Sequence, residues 1–343
     1  MFEPFYGNRH TQDALGRMID GGRIPQTLLF AGIEGLGKAT LARRFAAQLL
    51  GGAAQIEKDD LSLPENASLI ASREKLPADK RNEDPLLFGT HPDFLTFPPD
   101  GPLRQMGIPQ MRLLKERAQY KPLKGARRIF LIDGADRAGE QAANSLLKTL
   151  EEPPDHLILI LTAENVYDLL PTIRSRSVIL NLSPLSNDEM RAFAGERGMQ
   201  DAERRIALSG GSPGLAASLD IEVYQKRRAA MLALLKTGAG AAPYGSWLPV
   251  SEALSRNRSE KLELYLKLLY ELLRDLTILC EGGGSIRNSD LTTELTTLAR
   301  RVSRAWLINA VSAVDEVAEL LRRNIQKPIA LDGMLMRLRA SAA

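Results

Sequence analysis

The stretch Gly32-Ile33-Glu34-Gly35-Leu36-Gly37-Lys38-Ala39-Thr40 has the residue types that hold a phosphate. Glycines let successive backbone N–H groups converge on an anion, and a lysine at the start of the following helix reaches the outer phosphates of a nucleotide. An apolar run, Leu28-Leu29-Phe30-Ala31, precedes the loop and a helical pattern follows it, which is the order such a loop requires. A magnesium-binding hydroxyl normally stands directly after the lysine. Here that place is Ala39. Thr40 is one residue on, a rotation of about 100° on a helix, so its hydroxyl is expected to face away from the ion. ATP or ADP binding thus stays open to Gly32, Gly35, Gly37, Lys38, Ala39 and Thr40, while efficient magnesium-dependent hydrolysis is not expected.

A second nucleotide element is an apolar strand ending in an acid, and Arg128-Ile129-Phe130-Leu131-Ile132-Asp133 supplies it. Asp133 reads equally well as a metal-holding acid or as the cap of a turn. The next residue is Gly134 where a water-activating Glu would stand, and Asp136 lies two further on, so no general base adjoins Asp133. Arg174 and Arg176 follow Pro171 and precede the apolar run at Val178. A guanidinium held there is aimed, and its planar fork can bridge phosphate oxygens as charge builds in phosphoryl transfer. Its plain alternative is a surface arginine paired with an acid. Lys121, Lys124, Arg127 and Arg128 mark a solvated loop, with contact to DNA phosphates as the alternative. His91-Pro92-Asp93 reads as a turn, and Lys148 with Glu151-Glu152-Pro153-Pro154 as a helix end.

Elements must position these groups, and the chain of 343 residues has room for two or three domains. Apolar runs at Thr27–Gly32, Phe94–Phe97, Ile129–Asp133, Leu157–Thr162 and Val178–Leu182 are apolar throughout, which suits parallel strands covered on both faces. Residues 1–185 therefore predict an α/β domain built on a five-stranded parallel sheet, with 51–93 as an irregular solvated insertion. Beyond Leu185 the spacing is helical. The pattern predicts a small helical domain at 186–237, a Gly/Ala-rich linker at 238–247, and an all-α domain from 248 to 343 with Leu262, Tyr265, Leu266, Leu269, Leu272, Leu273, Leu276 and Leu279 in its core. The net charge of +3 is too small for a chain that binds nucleic acid along its length. A single cysteine, Cys280, excludes an intramolecular disulfide and a Cys-rich zinc site. No apolar run reaches the roughly 20 residues of a membrane span, and a cytoplasmic protein is expected.

Several segments resemble one family. Asn144-Ser145-Leu146-Leu147-Lys148-Thr149-Leu150-Glu151-Glu152-Pro153-Pro154 closely resembles the NALLKTLEEPP signature of bacterial clamp-loader subunits, which belong to the AAA+ class. Leu170-Pro171-Thr172-Ile173-Arg174-Ser175-Arg176-Ser177 is similar to their Ser-Arg-Cys motif with Ser177 replacing the cysteine, and 323–331 resembles their collar signature. Ala39, Gly134 and Gly214 depart from the hydrolysing gamma and tau subunits and resemble the delta-prime type of DNA polymerase III. The resemblance implies an AAA+ P-loop domain, a helical lid and an all-α collar that oligomerises. It implies assembly with gamma or tau and delta, and through that complex contact with the sliding clamp and primed DNA during replication. It also implies that Arg176 acts as an arginine finger in a neighbour's ATP site. Many relatives carry a four-cysteine zinc module at the insertion, but this chain has no cysteine there, and no metal is expected.

Two other readings stand beside this noncatalytic one. The chain is an active clamp-loader or repair ATPase in which Thr40 and Asp136 take over the missing roles, or a DNA-binding module that acts alone.

Overall fold

The computed structural model describes residue 2 and residues 4–256, 262–321 and 326–342. The chain divides into two compact units, residues 1–217 and 218–343.

The first unit is organised by β1 (Thr27–Ala31), β2 (Phe94–Phe97), β3 (Arg128–Ile132), β4 (Leu157–Ala163) and β5 (Val178–Asn181). They form one parallel sheet in the order β2-β3-β4-β1-β5. Strand residues alternate between the two faces, as the pleat requires. Ile129, Leu131, Ile158 and Ile160 enter one core with Phe30, Leu41 and Phe45. Phe130, Ile132, Leu157, Leu159 and Leu161 enter the other with Phe97, Met111 and Leu146. Both layers are apolar because helices cover both faces, which is why the runs lack the alternation of a half-exposed sheet. The edge strand β5 is the exception, with Val178 and Ile179 exposed.

Residues 51–93, expected to be irregular, are mostly folded into short helices, Ala53–Ile56, Pro64–Arg73 and Ala78–Glu83. Buried arginines hold them instead of a large apolar core. Arg43 pairs with Glu57 at 3.1 Å and Asp60 at 2.5 Å, and Arg73 pairs with Asp100 at 2.8 Å. Ile70, Leu86 and Phe88 add a small cluster. Ion pairs between residues far apart in sequence leave no periodicity, so the stretch reads as solvated from sequence alone.

A capping box at Ser186 and Glu189 starts the Asn187–Glu196 helix. Leu185, Met190, Ala194, Ile206 and Ala216 form its core. This small helical cluster is shorter than the domain expected at 186–237. The Ile221–Gly238 helix belongs to the second unit, because Met231, Leu232, Leu234 and Leu235 pack there with Leu269, Leu335 and Leu338. Residues 238–247 are also not a free linker. Trp247 is fully buried and its Nε1 donates to Asp332 Oδ1 at 2.6 Å. The leucine stripe of the Leu262–Cys280 helix is core as expected, with Leu279 partly buried. Cys280 is exposed at that helix's end. Of the collar-like segment, 322–325 lie outside the described residues. No helix among the described residues is long and apolar enough to cross a membrane.

Candidate functional site

Gly32 to Gly37 leave the C-terminal end of β1 and lead into the Lys38–Leu50 helix, so a strand, a turn and a helix N-terminus meet as the motif requires. Gly37 caps that helix at φ 85°, and a Cβ there would lie 2.9 Å from the Phe5 ring. Gly35 has φ +79°, and a Cβ would lie 2.3 Å from Ser212 Oγ. The 211–215 turn packs directly on the loop. Gly214 N donates to Gly35 O at 2.8 Å, and Ser212 Oγ donates to Glu34 O at 2.9 Å. The backbone of Gly214 therefore lies against Gly35.

Lys38 is turned onto its own loop. Its Nζ donates to Gly32 O at 2.5 Å and Ile33 O at 2.9 Å. Burial pushes its pKa below the ordinary lysine value, offset in part by Glu164 and then by Asp133, Asp136 and Glu34. Ala39 offers no hydroxyl. Thr40 Oγ1 accepts from Arg43 Nη2 at 3.5 Å, on the helix side, so the expected rotation holds. The loop has the shape of a phosphate cradle, but the residues present do not fit a magnesium ion.

Asp133 ends β3 next to Thr162 of β4. Thr162 Oγ1 donates to Asp133 Oδ1 at 2.6 Å and accepts from Gly134 N at 2.7 Å. One carboxylate oxygen thus ties a turn. Asp136 Oδ2 accepts from Glu164 N at 2.9 Å, while its Oδ1 is buried without a hydrogen-bond partner. Burial raises the Asp136 pKa, and the Glu164 backbone N–H opposes that rise. Thr162, Glu164, Phe5 and Ser212 escaped the sequence reading. Thr162 alone had a visible signal, a hydroxyl near the end of the apolar run Leu157-Ile158-Leu159-Ile160-Leu161.

Arg176 stands apart from this loop. It follows the Pro171–Ser175 helix and enters β5 at its N-terminal end, whereas the phosphate loop leaves β1 at its C-terminal end. β1 and β5 are parallel with Leu28 opposite Val178 and Ala31 opposite Asn181. Leu182 stands at the level of Gly32, so the path from Val178 to that level spans about 13 Å at about 3.3 Å per residue, with Arg176 in the turn before it. Its Nη2 pairs with Glu151 Oε1 at 3.0 Å. Arg174 instead lies over the Tyr167 ring, 5.1 Å from the centroid.

Among the remaining candidates, His91, Asp93 and Arg128 make structural contacts. His91 Nδ1 accepts from Asp93 N at 3.1 Å, the turn expected there. Asp93 is fully buried and accepts from Leu123 N at 2.7 Å and Lys124 N at 2.8 Å. It fixes the basic loop from beneath. Arg128 is buried, donating to Arg117 O and Tyr120 O at 3.0 and 3.1 Å, while Lys121 and Lys124 are exposed. Asp93→Ala is expected to cost about 1–3 kcal/mol. Faster hydrogen exchange at the Leu123 and Lys124 amides is the check, and unchanged exchange there contradicts it.

A family model described as DNA polymerase III, delta subunit, matches residues 7–186. The chain is 31% identical over 248 residues to DNA polymerase III subunit delta' of Pseudomonas aeruginosa, covering 69% of this chain and 70% of that one. The chain belongs to the delta-prime family of DNA polymerase III subunits. It is also 29% identical over 257 residues to the delta' subunit of Escherichia coli, covering 73% and 75% of the two chains. DNA polymerase III subunit gamma/tau of Mycobacterium bovis is 31% identical over 176 residues, covering 51% of this chain and 27% of that protein. The DNA polymerase III reading of Asn144–Pro154 agrees with these matches.

Proposed function

We propose that this chain is the noncatalytic end subunit of a bacterial clamp loader. It assembles with gamma or tau and with delta to place the sliding clamp on primed DNA, and it lends Arg176 to the ATP site of the adjoining gamma or tau subunit. The phosphate loop binds ATP or ADP without efficient hydrolysis. The observation that carries this reading is the separation of two parts that hydrolysis needs together. The phosphate loop opens at one end of the sheet with Ala39 and Gly134 in place of its working groups, while Arg176 emerges at the other end. On this reading Arg176, at the opposite end of β5 from its own loop, meets a phosphate on another protein. The lid at 186–217 and the helical unit from 218 supply the remaining AAA+ and collar parts.

The test uses the purified chain with ATP and magnesium. Phosphate release at the buffer background, equal in Lys38→Ala, is the expected result. Brisk release that disappears in Lys38→Ala overturns the reading. One observation favours that second, hydrolysing reading: Asp136 has a buried carboxylate oxygen with no partner and a raised pKa, as a general base would. Its other oxygen is spent on the Glu164 backbone, so Asp136→Asn is expected to leave the chain inactive as before.

A further inference from the structure

Arg176 is not a free arm. Its Nη1 donates to Thr172 O at 3.2 Å while its Nη2 meets Glu151 Oε1 at 3.0 Å. These two acceptors lie on different elements, one on the short Pro171–Ser175 helix and one at the last residue of the Glu140–Glu151 helix. Together they orient the plane of the guanidinium. They engage two of the five N–H donors an arginine carries, which leaves three for a phosphate.

Glu151 is also a poor choice for its own helix. A carboxylate in the last turn faces the negative end of the helix dipole, and Glu152 beside it adds a like charge. Lys148, one turn earlier, shares a polar cavity of about 330 Å³ with both acids and with Lys115, yet Glu151 pairs with Arg176. Pro153 and Pro154 stop the chain just beyond and fix where that helix end lies.

The strength of the pair suits positioning. Arg176 and Glu151 side chains are 37% and 48% exposed. An exposed pair biases the rotamers of a long side chain without holding it against a competing phosphate. We propose that Glu151 is the positioning residue of Arg176, aiming its guanidinium before a neighbouring subunit docks. This rests on the trans-acting reading of Arg176 above.

The experiment compares assembled complexes of this chain with gamma or tau and delta, measuring ATPase with primed DNA and clamp. Glu151→Ala is expected to lower kcat about threefold to fivefold, with KM for ATP and elution as an intact complex unchanged. Glu151→Gln keeps an acceptor oxygen and is expected to retain most of the rate. In an Arg176→Ala background, Glu151→Ala is expected to add nothing, because its effect runs through that guanidinium. A normal kcat for Glu151→Ala beside a slow Arg176→Ala overturns the role of Glu151 alone. So does an equal loss in both backgrounds, which marks a structural effect. Full activity of Arg176→Ala removes the finger reading itself, and is distinguishable from either.

Discussion

Arg176→Ala is expected to slow ATP hydrolysis at the adjoining gamma or tau site by about 10³-fold or more, with the complex still assembling. The magnitude follows trans-acting arginines in GTPases, which contribute about 10³ to 10⁵ in rate. On the proposed reading the guanidinium stabilises charge on the transferring phosphoryl oxygens, so the loss is expected in kcat rather than in nucleotide affinity. Assembly should survive because the side chain is partly exposed and its contacts within the chain are one carbonyl and one half-exposed carboxylate. Single-turnover hydrolysis in a complex where only the adjoining site is competent measures this directly. A wild-type rate there would show that Arg176 touches no phosphate. Arg176→Lys should recover little, since an ammonium lacks the planar fork.

Trp247→Ala is expected to destabilise the second unit by about 3–5 kcal/mol. The ring is fully buried in the helical core, and its loss also takes a donor from Asp332, which Ser251 Oγ contacts at 3.0 Å. Urea unfolding should shift to lower concentration by about 2 M, given a slope of about 1–3 kcal/mol per molar. The chain has two tryptophans, and Trp306 is buried in the same core with Nε1 donating to Leu338 O at 3.0 Å. Its fluorescence therefore reports the variant's transition. Trp247→Phe keeps most of the volume and should lose about 1–2 kcal/mol, the cost of leaving Asp332 short of a donor. An unmoved midpoint in Trp247→Ala would mean that 238–247 is a spacer after all.

That segment shows where sequence reading and fold part. Lys236 to Gly245 holds small residues, Gly and Pro, which look like a chain with no reason to pack. The structure uses the same smallness for close contact. At Gly238 a Cβ would sit 2.9 Å from the Leu338 Cβ, so a helix almost a hundred residues away fits against it. Small residues permit both outcomes, and the distant partner decides between them.

The sequence by itself determined the parallel sheet, the glycine-rich turn between β1 and its helix, and the residue types at 39 and 134. Each is written locally, in uninterrupted apolar runs, in glycine spacing, and in the identities of Ala39 and Gly134. Tertiary structure alone decided what surrounds them. Lys38 folds onto Gly32 and Ile33, Ser212 and Gly214 close over Glu34 and Gly35, and Glu151 reaches Arg176. It also decided that Arg43 and Arg73 would organise 51–93 and that Ile221–Gly238 would join the second unit. The physical reason is common to all of them. A strand or a loop motif is fixed by neighbours within a few residues, but a hydrogen bond or ion pair between side chains far apart in the chain depends on which surfaces the fold brings within about 3 Å.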